Sequence, residues 1–281
     1  MERGKDFAVI RSDDEYVEVK KILDGEHDTA LRFTSQYAAL SATVYEDDTD
    51  GLKEMVSDWK KINIEFEEYR PPRKGKWLEG LKVDSYYKKE DGVVYVGIVF
   101  RGTRFTKWKD WYSNANWITR FVPFVHNAYE QTLLQINPYV EAIEKYLKKG
   151  KIAMEGGEVK FTATGHSLGG GLAQQAAYAS EKIETVFAYD PSPVTGYHSV
   201  NKIQREKNCM GLKIYRIWEK GEVLQFLRLL TKTAQKLTFK PNINPRIVEV
   251  RFDFMVNMGP INQHSMATLA IFLRDVEQGG G

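Results

Sequence analysis

The stretch that most narrows what this chain can fold into is Phe161-Thr162-Ala163-Thr164-Gly165-His166-Ser167-Leu168-Gly169, continued by Gly170, Gly171 and a segment rich in Ala and Gln. A strand-like run gives way to G-x-S-x-G and then to helix formers. At such a junction the chain makes a sharp strand-to-helix turn that strains the serine backbone, and glycines two residues to either side remove side chains that would collide. The turn lifts the Ser167 hydroxyl above the edge of a sheet. It also places that hydroxyl at a helix N-terminus, where the dipole favours developing negative charge.

The texture around this turn is alternating. Strands are expected at Leu81 to Lys88 and Val93 to Phe100, joined by Lys89-Glu90-Asp91-Gly92, whose Asp-Gly pair is a hairpin signal. A long amphipathic helix is expected from Ala128 to Lys149, closed by Gly150. Then come strand Val159 to Thr164, helix Leu168 to Ser180, strands Ile183 to Tyr189, Leu212 to Trp218 and Val248 to Phe254, and a closing helix, Met266 to Val276. Strands alternating with helices imply a mainly parallel sheet covered on both faces, so the fold class is α/β. Upstream, Thr34 to Tyr45 and Leu52 to Lys61 read as helices, and Pro71-Pro72 is the nearest thing to a break. We therefore expect one domain over residues 1–277: a helical N-terminal extension (1–75), a core (81–277), and a flexible tail (278–281).

Composition closes off other classes. The 281 residues hold 40 Lys and Arg against 38 Asp and Glu, a net charge of +2 without the basic excess of nucleic-acid binders. Cys209 is the single cysteine, so disulfide scaffolds and Cys-based zinc sites are excluded. The N-terminus turns charged before the ~7–15 apolar residues of a secretory signal could accumulate, and no run reaches the ~18 of a membrane span. The expectation is a chain made in the cytoplasm without a Sec signal, with signal-independent export left open.

A serine nucleophile needs a base and a group to orient it. On a sheet of this kind the order along the chain is serine, acid, histidine. His166 lies inside the turn and points away from where a base must sit, and His27 and His126 come too early. His264, between the last strand and the last helix, is preferred over His198, which follows the serine too soon. The acid is ranked Glu222, then Asp190, then Glu219. Glu222 follows Gly221 and can turn back toward the histidine. Asp190 precedes Pro191 and reads alternatively as a turn former, and Glu219 alternatively as a solvated turn charge. The oxyanion hole is expected from the N–H groups of Leu168 and of Thr103, in the loop leaving Val96 to Phe100.

Phe100-Arg101-Gly102-Thr103, Asp110-Trp111, Asn114, Val125-His126-Asn127-Ala128-Tyr129 and Thr164 to Gly170 together resemble the class 3 (fungal-type) lipases and their bacterial relatives. The resemblance spans roughly Leu81 to His264. Ala128-Tyr129 depart from the family's Gly-Phe, and Glu222 stands where the family usually has aspartate. It implies an α/β-hydrolase fold and hydrolysis of carboxylic esters of lipids, and a serine mechanism through an acyl-enzyme is expected to need no metal or organic cofactor. In it Ser167 matches the nucleophile, His264 the base, Glu222 the acid and Thr103 the upstream oxyanion residue. It also implies a lid over residues 104–124, where Trp108, Trp111 and Trp117 crowd together. Those aromatics suit either transient contact with a membrane surface or plain packing on the core. From Val223 to Val248 five Lys and Arg occur with no acidic residue. That segment is read first as a solvated face and second as a site for anionic head groups. The alternatives to a lipase or esterase are a phospholipase A, exported to act on a neighbour's membrane, and an inactive lipid-binding module. The oligomeric state is not readable from the sequence.

Overall fold

The computed structural model describes residues 7–10, 15–26, 28–45, 50–64, 82–102, 117–153, 157–221, 245–254 and 265–278. Two short antiparallel strands, β1 (Phe7–Ile10) and β2 (Glu15–Glu18), lead into helix α1 (Val19–Leu23) and a 3-10 turn over Thr29–Phe33. Helices α2 (Thr34–Thr43) and α3 (Asp50–Met55) and the two-residue strand β3 (Lys60–Lys61) follow. The hairpin of β4 (Val83–Glu90) and β5 (Val93–Phe100) turns through Asp91 and Gly92, whose φ values of 51° and 78° suit a two-residue loop. After helix α4 (Trp117–Lys149) come β6 (Val159–His166), α5 (Leu168–Ala179) and β7 (Ile183–Tyr189). A 3-10 turn over Tyr197–Ser199, α6 (Lys202–Asn208), β8 (Lys213–Glu219), β9 (Arg246–Phe252) and α7 (Met266–Glu277) complete the chain.

The described strands form one sheet in the order β2-β1-β9-β8-β7-β6-β5-β4-β3. β5 to β9 run parallel in sequence order, and the strands at both edges are antiparallel. The expected α/β class with a mainly parallel sheet and helices on both faces is what the chain adopts. Because each crossover steps the same way, its single handedness puts α4, α5 and α6 on one face. Their Ala128, Ile136, Ile143, Leu172 and Ala176 pack on Val96, Ile98, Phe161, Ala163, Val186 and Ile214. The opposite face is covered by the two ends of the chain: Tyr37 and Leu40 of α2, Leu52 of α3 and Leu269 and Leu273 of α7 lie on Val99, Phe187, Tyr215, Val250 and Phe252. Burying each such large side chain stabilises by roughly 1.5–3 kcal/mol. Tyr37 stacks on Phe187 at 4.9 Å and Phe187 on Tyr215 at 5.0 Å, a ladder across two strands.

Three expectations need correction. Residues 1–75 are not only helical, because β1 and β2 extend the sheet, with Val9 paired to Arg251 and Ile10 to Val250. β1 thereby covers an edge of β9 that would otherwise expose unpaired backbone groups. The helix expected to run to Lys61 stops at Met55, and a turn brings the buried Trp59 back so that its indole N–H donates to Gln36 Oε1 at 3.0 Å. Helix α4 begins at Trp117 rather than Ala128 and continues through Pro138. The carbonyl that Pro138 leaves without its helical donor is that of Leu134, which is 68% exposed, so water can take the donor's place. The lid stretch 104–116, the basic segment 223–244 and the Pro71-Pro72 break lie outside the described residues. So do the side chains of 117–124 and residues 279–281.

Candidate active site

β6 is buried from Phe161 onward and delivers the chain to Ser167, which has φ 57° and ψ −122° and is the N-cap of α5. That region disfavours an L-residue by about 1–3 kcal/mol and persists only where the surroundings over-determine it. Here they do: the Ser167 N–H donates to the Tyr189 carbonyl at 2.9 Å, while the Ser167 carbonyl accepts from Ser192 N–H at 2.9 Å and Gly170 N–H at 3.1 Å. The turn is also sterically closed. A Cβ on Gly169 would lie 2.1 Å from the Phe100 carbonyl oxygen, and one on Gly165 would lie 2.5 Å from the Gly169 carbonyl carbon. The end of β5 therefore rests directly on the turn, at van der Waals contact that only glycine permits.

Since β5 to β9 are parallel, the chain leaves the same edge of the sheet after Phe100, His166, Tyr189, Glu219 and Phe252. Ser167 sits at this edge, 6% exposed, with Leu168 as the first residue of α5. The Gly170 and Gly171 N–H groups go to the Ser167 carbonyl, whereas Leu168, as the first helical residue, has no carbonyl a turn earlier within α5 to accept its N–H. His166 is buried beneath the turn, its Nε2 3.9 Å from Asp190 Oδ2 and its Nδ1 3.4 Å from the Tyr45 hydroxyl. Asp190 is fully buried at φ 39°, and its Oδ1 accepts the Glu219 N–H at 3.0 Å. Asp190 thus bridges the ends of β7 and β8 rather than forming a local turn before Pro191. Glu219, expected as a solvated charge if not the acid, is also fully buried. His198 is exposed on its 3-10 turn, its ring edge-on to Tyr197 at 5.1 Å. Thr103, Glu222 and His264 lie outside the described residues, but each follows the carboxyl end of a parallel strand: β5, β8 and β9 respectively. Ser265, the residue after His264, caps α7 by accepting from Thr268 N–H at 3.3 Å.

Tyr45 is the residue that the sequence does not announce. It follows α2 and reads as one more apolar position, yet its hydroxyl accepts the Gly102 N–H at 3.0 Å at the end of β5. Cavities of about 850 Å³, lined by Asn137, Glu144, Ser180 and Lys207, and of about 410 Å³, lined by Arg32, Tyr95, Lys160 and Lys213, open at the opposite end of the sheet from Ser167. Neither is where a serine could act. Among the described residues no cluster of His, Cys, Asp and Glu could hold a metal ion, and no helix is long and apolar enough to cross a membrane.

A family model described as a phospholipase-like, Tle-like phospholipase domain matches residues 36–227, a span that runs from α2 through the Ser167 turn to beyond the end of β8. The chain belongs to that family. The lipase resemblance read from the motifs is in keeping with it, and the Tle-like domain is accordingly a lipid-ester hydrolase on an α/β-hydrolase fold. No curated protein sequence matches the chain. Among solved structures it is similar to lipase II from Rhizopus niveus at 18% identity and TM-score 0.47, covering 80% of this chain and 81% of that one. It is similar to the Rhizomucor miehei lipase–propeptide complex at 14% and 0.46, covering 73% and 65%. An esterase of Pyrococcus furiosus matches at 10% and 0.34, covering 81% and 93%. These likenesses are too distant to add weight, and the fold stands on the strand order and the serine turn.

Proposed function

We propose that this Tle-like domain is a serine phospholipase A, cleaving a carboxylic ester of a glycerophospholipid through an acyl-enzyme. The observation that carries the reading is Ser167 itself. It sits at φ 57° at the carboxyl end of a central parallel strand and the head of a helix, within the residues the phospholipase family matches. Ser167 Oγ attacks the acyl carbonyl carbon while His264 takes its proton. The developing oxyanion is held by the Leu168 and Thr103 N–H groups. His264 then protonates the departing lysophospholipid oxygen. Water, deprotonated in turn by His264, attacks the acyl-enzyme and frees the fatty acid. Glu222 is the group we assign to orient His264. Asp190 is tied beneath the turn by the Glu219 N–H, and Glu219 is the last residue of β8 rather than part of the loop leaving it. No step needs a metal or organic cofactor.

A lipid-binding module on this scaffold gains nothing from a serine held at a costly φ, so the strained turn favours an enzyme. A fluorophosphonate probe tests this directly, because only an activated serine reacts. Wild-type protein is expected to label and Ser167→Ala to stay unlabelled. Folded wild type that does not label would overturn the reading.

A further inference from the structure

We propose that Tyr45 is a positioning residue for the oxyanion hole, a role that rests on the serine-hydrolase reading above. Tyr45 is 8% exposed, so its ring is fixed by the core. Its hydroxyl accepts the Gly102 N–H at 3.0 Å and donates toward the His166 carbonyl oxygen at 3.4 Å. Its ring meets the His166 imidazole edge-on at 5.9 Å and 75°. One hydroxyl from the N-terminal segment thus joins the end of β5 to the residue immediately before the nucleophile.

Two consequences follow from that geometry. The Gly102 N–H is held by Tyr45, and the residue that follows it in the chain is Thr103, the upstream donor assigned above. The other donor, the Leu168 N–H, lies two residues beyond His166. Tyr45 therefore sets the spacing between the two strands' contributions to the hole, across sequence separations of 57 and 121 residues that no local loop could control. The same line continues beneath the turn, from His166 Nε2 to Asp190 Oδ2 at 3.9 Å and from Asp190 Oδ1 to the Glu219 N–H at 3.0 Å. Tyr45 thus joins the carboxyl ends of β5 and β6, and Asp190 joins those of β7 and β8 beside it.

Tyr45→Phe keeps the ring and deletes the hydroxyl. The readout is inhibition by an alkyl trifluoromethyl ketone, whose serine adduct places a negative oxygen in the hole, measured beside hydrolysis of a short-chain nitrophenyl ester. A displacement of about 1 Å at a reacting centre can cost ~10²-fold. The expected result is a Ki raised by about 10–100-fold and kcat lowered in parallel, with KM within about twofold. A Ki within about threefold of wild type overturns the inference. Ki does not depend on how much of the variant is folded, so a poorly folding preparation still gives the answer. Wild type that the ketone does not inhibit would instead overturn the serine reading. Inhibition that is equal in wild type and Tyr45→Phe removes only the role of Tyr45.

Discussion

Ser167 is held in place by its neighbours rather than by its own preference. The Tyr189 carbonyl and the Ser192 and Gly170 amides fix its backbone at φ 57°. The Phe100 carbonyl, where a Cβ on Gly169 would meet it at 2.1 Å, shuts out any larger residue there. Three candidate carboxylates, Asp190, Glu219 and Glu222, follow the nucleophile in the chain, and the first two lie among the described residues. Asp190 and Glu219 are fully buried, and Asp190 holds the Glu219 N–H. Removing the Asp190 carboxylate leaves that amide without its acceptor, a loss of about 1–3 kcal/mol. We therefore expect Asp190→Ala to lower the melting midpoint, and Glu222→Ala to lower kcat by about 10³–10⁴-fold, the effect of losing the orienting acid. Steady-state kinetics and thermal melts on the two variants check the assignment. A full kcat loss confined to Asp190→Ala, with its midpoint unchanged, would move the acid to Asp190.

At the scale of elements, the N-terminal helices and α7 form half the core, and Asp28 ties the 3-10 turn before α2 to the sheet. Its carboxylate caps the 3-10 turn by accepting the Ala30 N–H at 3.1 Å, accepts the Tyr215 hydroxyl at 2.8 Å, and lies 3.6 Å from Lys213 and 3.9 Å from Arg246. Burial opposes its charge, but the Tyr215 and Ala30 hydrogen bonds and the two cations outweigh it, holding its carboxyl below the usual carboxylate range. A depressed folded-state pKa contributes stability that is complete above the unfolded value of about 3.9 and is lost as pH falls through the folded value. Asp28→Asn should therefore lower the melting midpoint at neutral pH, and its difference from wild type should shrink in acid. A difference that grows in acid would contradict this. The elements differ in how legible they are. β5 to β9 can be read from the sequence because apolar-rich runs bounded by turn residues mark buried strands, and β4, Val-Asp-Ser-Tyr-Tyr-Lys-Lys-Glu, is marked instead by the Asp-Gly turn that joins it to β5. β1 and β2, four residues each, owe their place to pairing with β9 near the other end of the chain, which no local pattern records. Tyr45 is hidden for the same reason, since its hydroxyl finds its partners 57 and 121 residues away. By contrast, the Ser167 turn is legible in full, because strand, glycines and helix are all contiguous.

The whole molecule is organised around one edge of its sheet. Five parallel strands release their chains there. The residues assigned as nucleophile, acid, base and oxyanion donor all follow those strand ends, and the covering helices on both faces hold the strands in register. A net charge of only +2 gives the chain little overall electrostatic attraction for an anionic lipid surface. Phospholipid hydrolysis by Ser167 is tested most directly by the fatty acid released from zwitterionic and anionic phospholipid vesicles by wild type and by Ser167→Ala. We predict equal amounts of fatty acid and lysophospholipid from wild type, at a rate at least about 10³-fold above the variant. Fatty acid release that survives in Ser167→Ala, or a wild type that cleaves short soluble esters and nothing from vesicles, would contradict it.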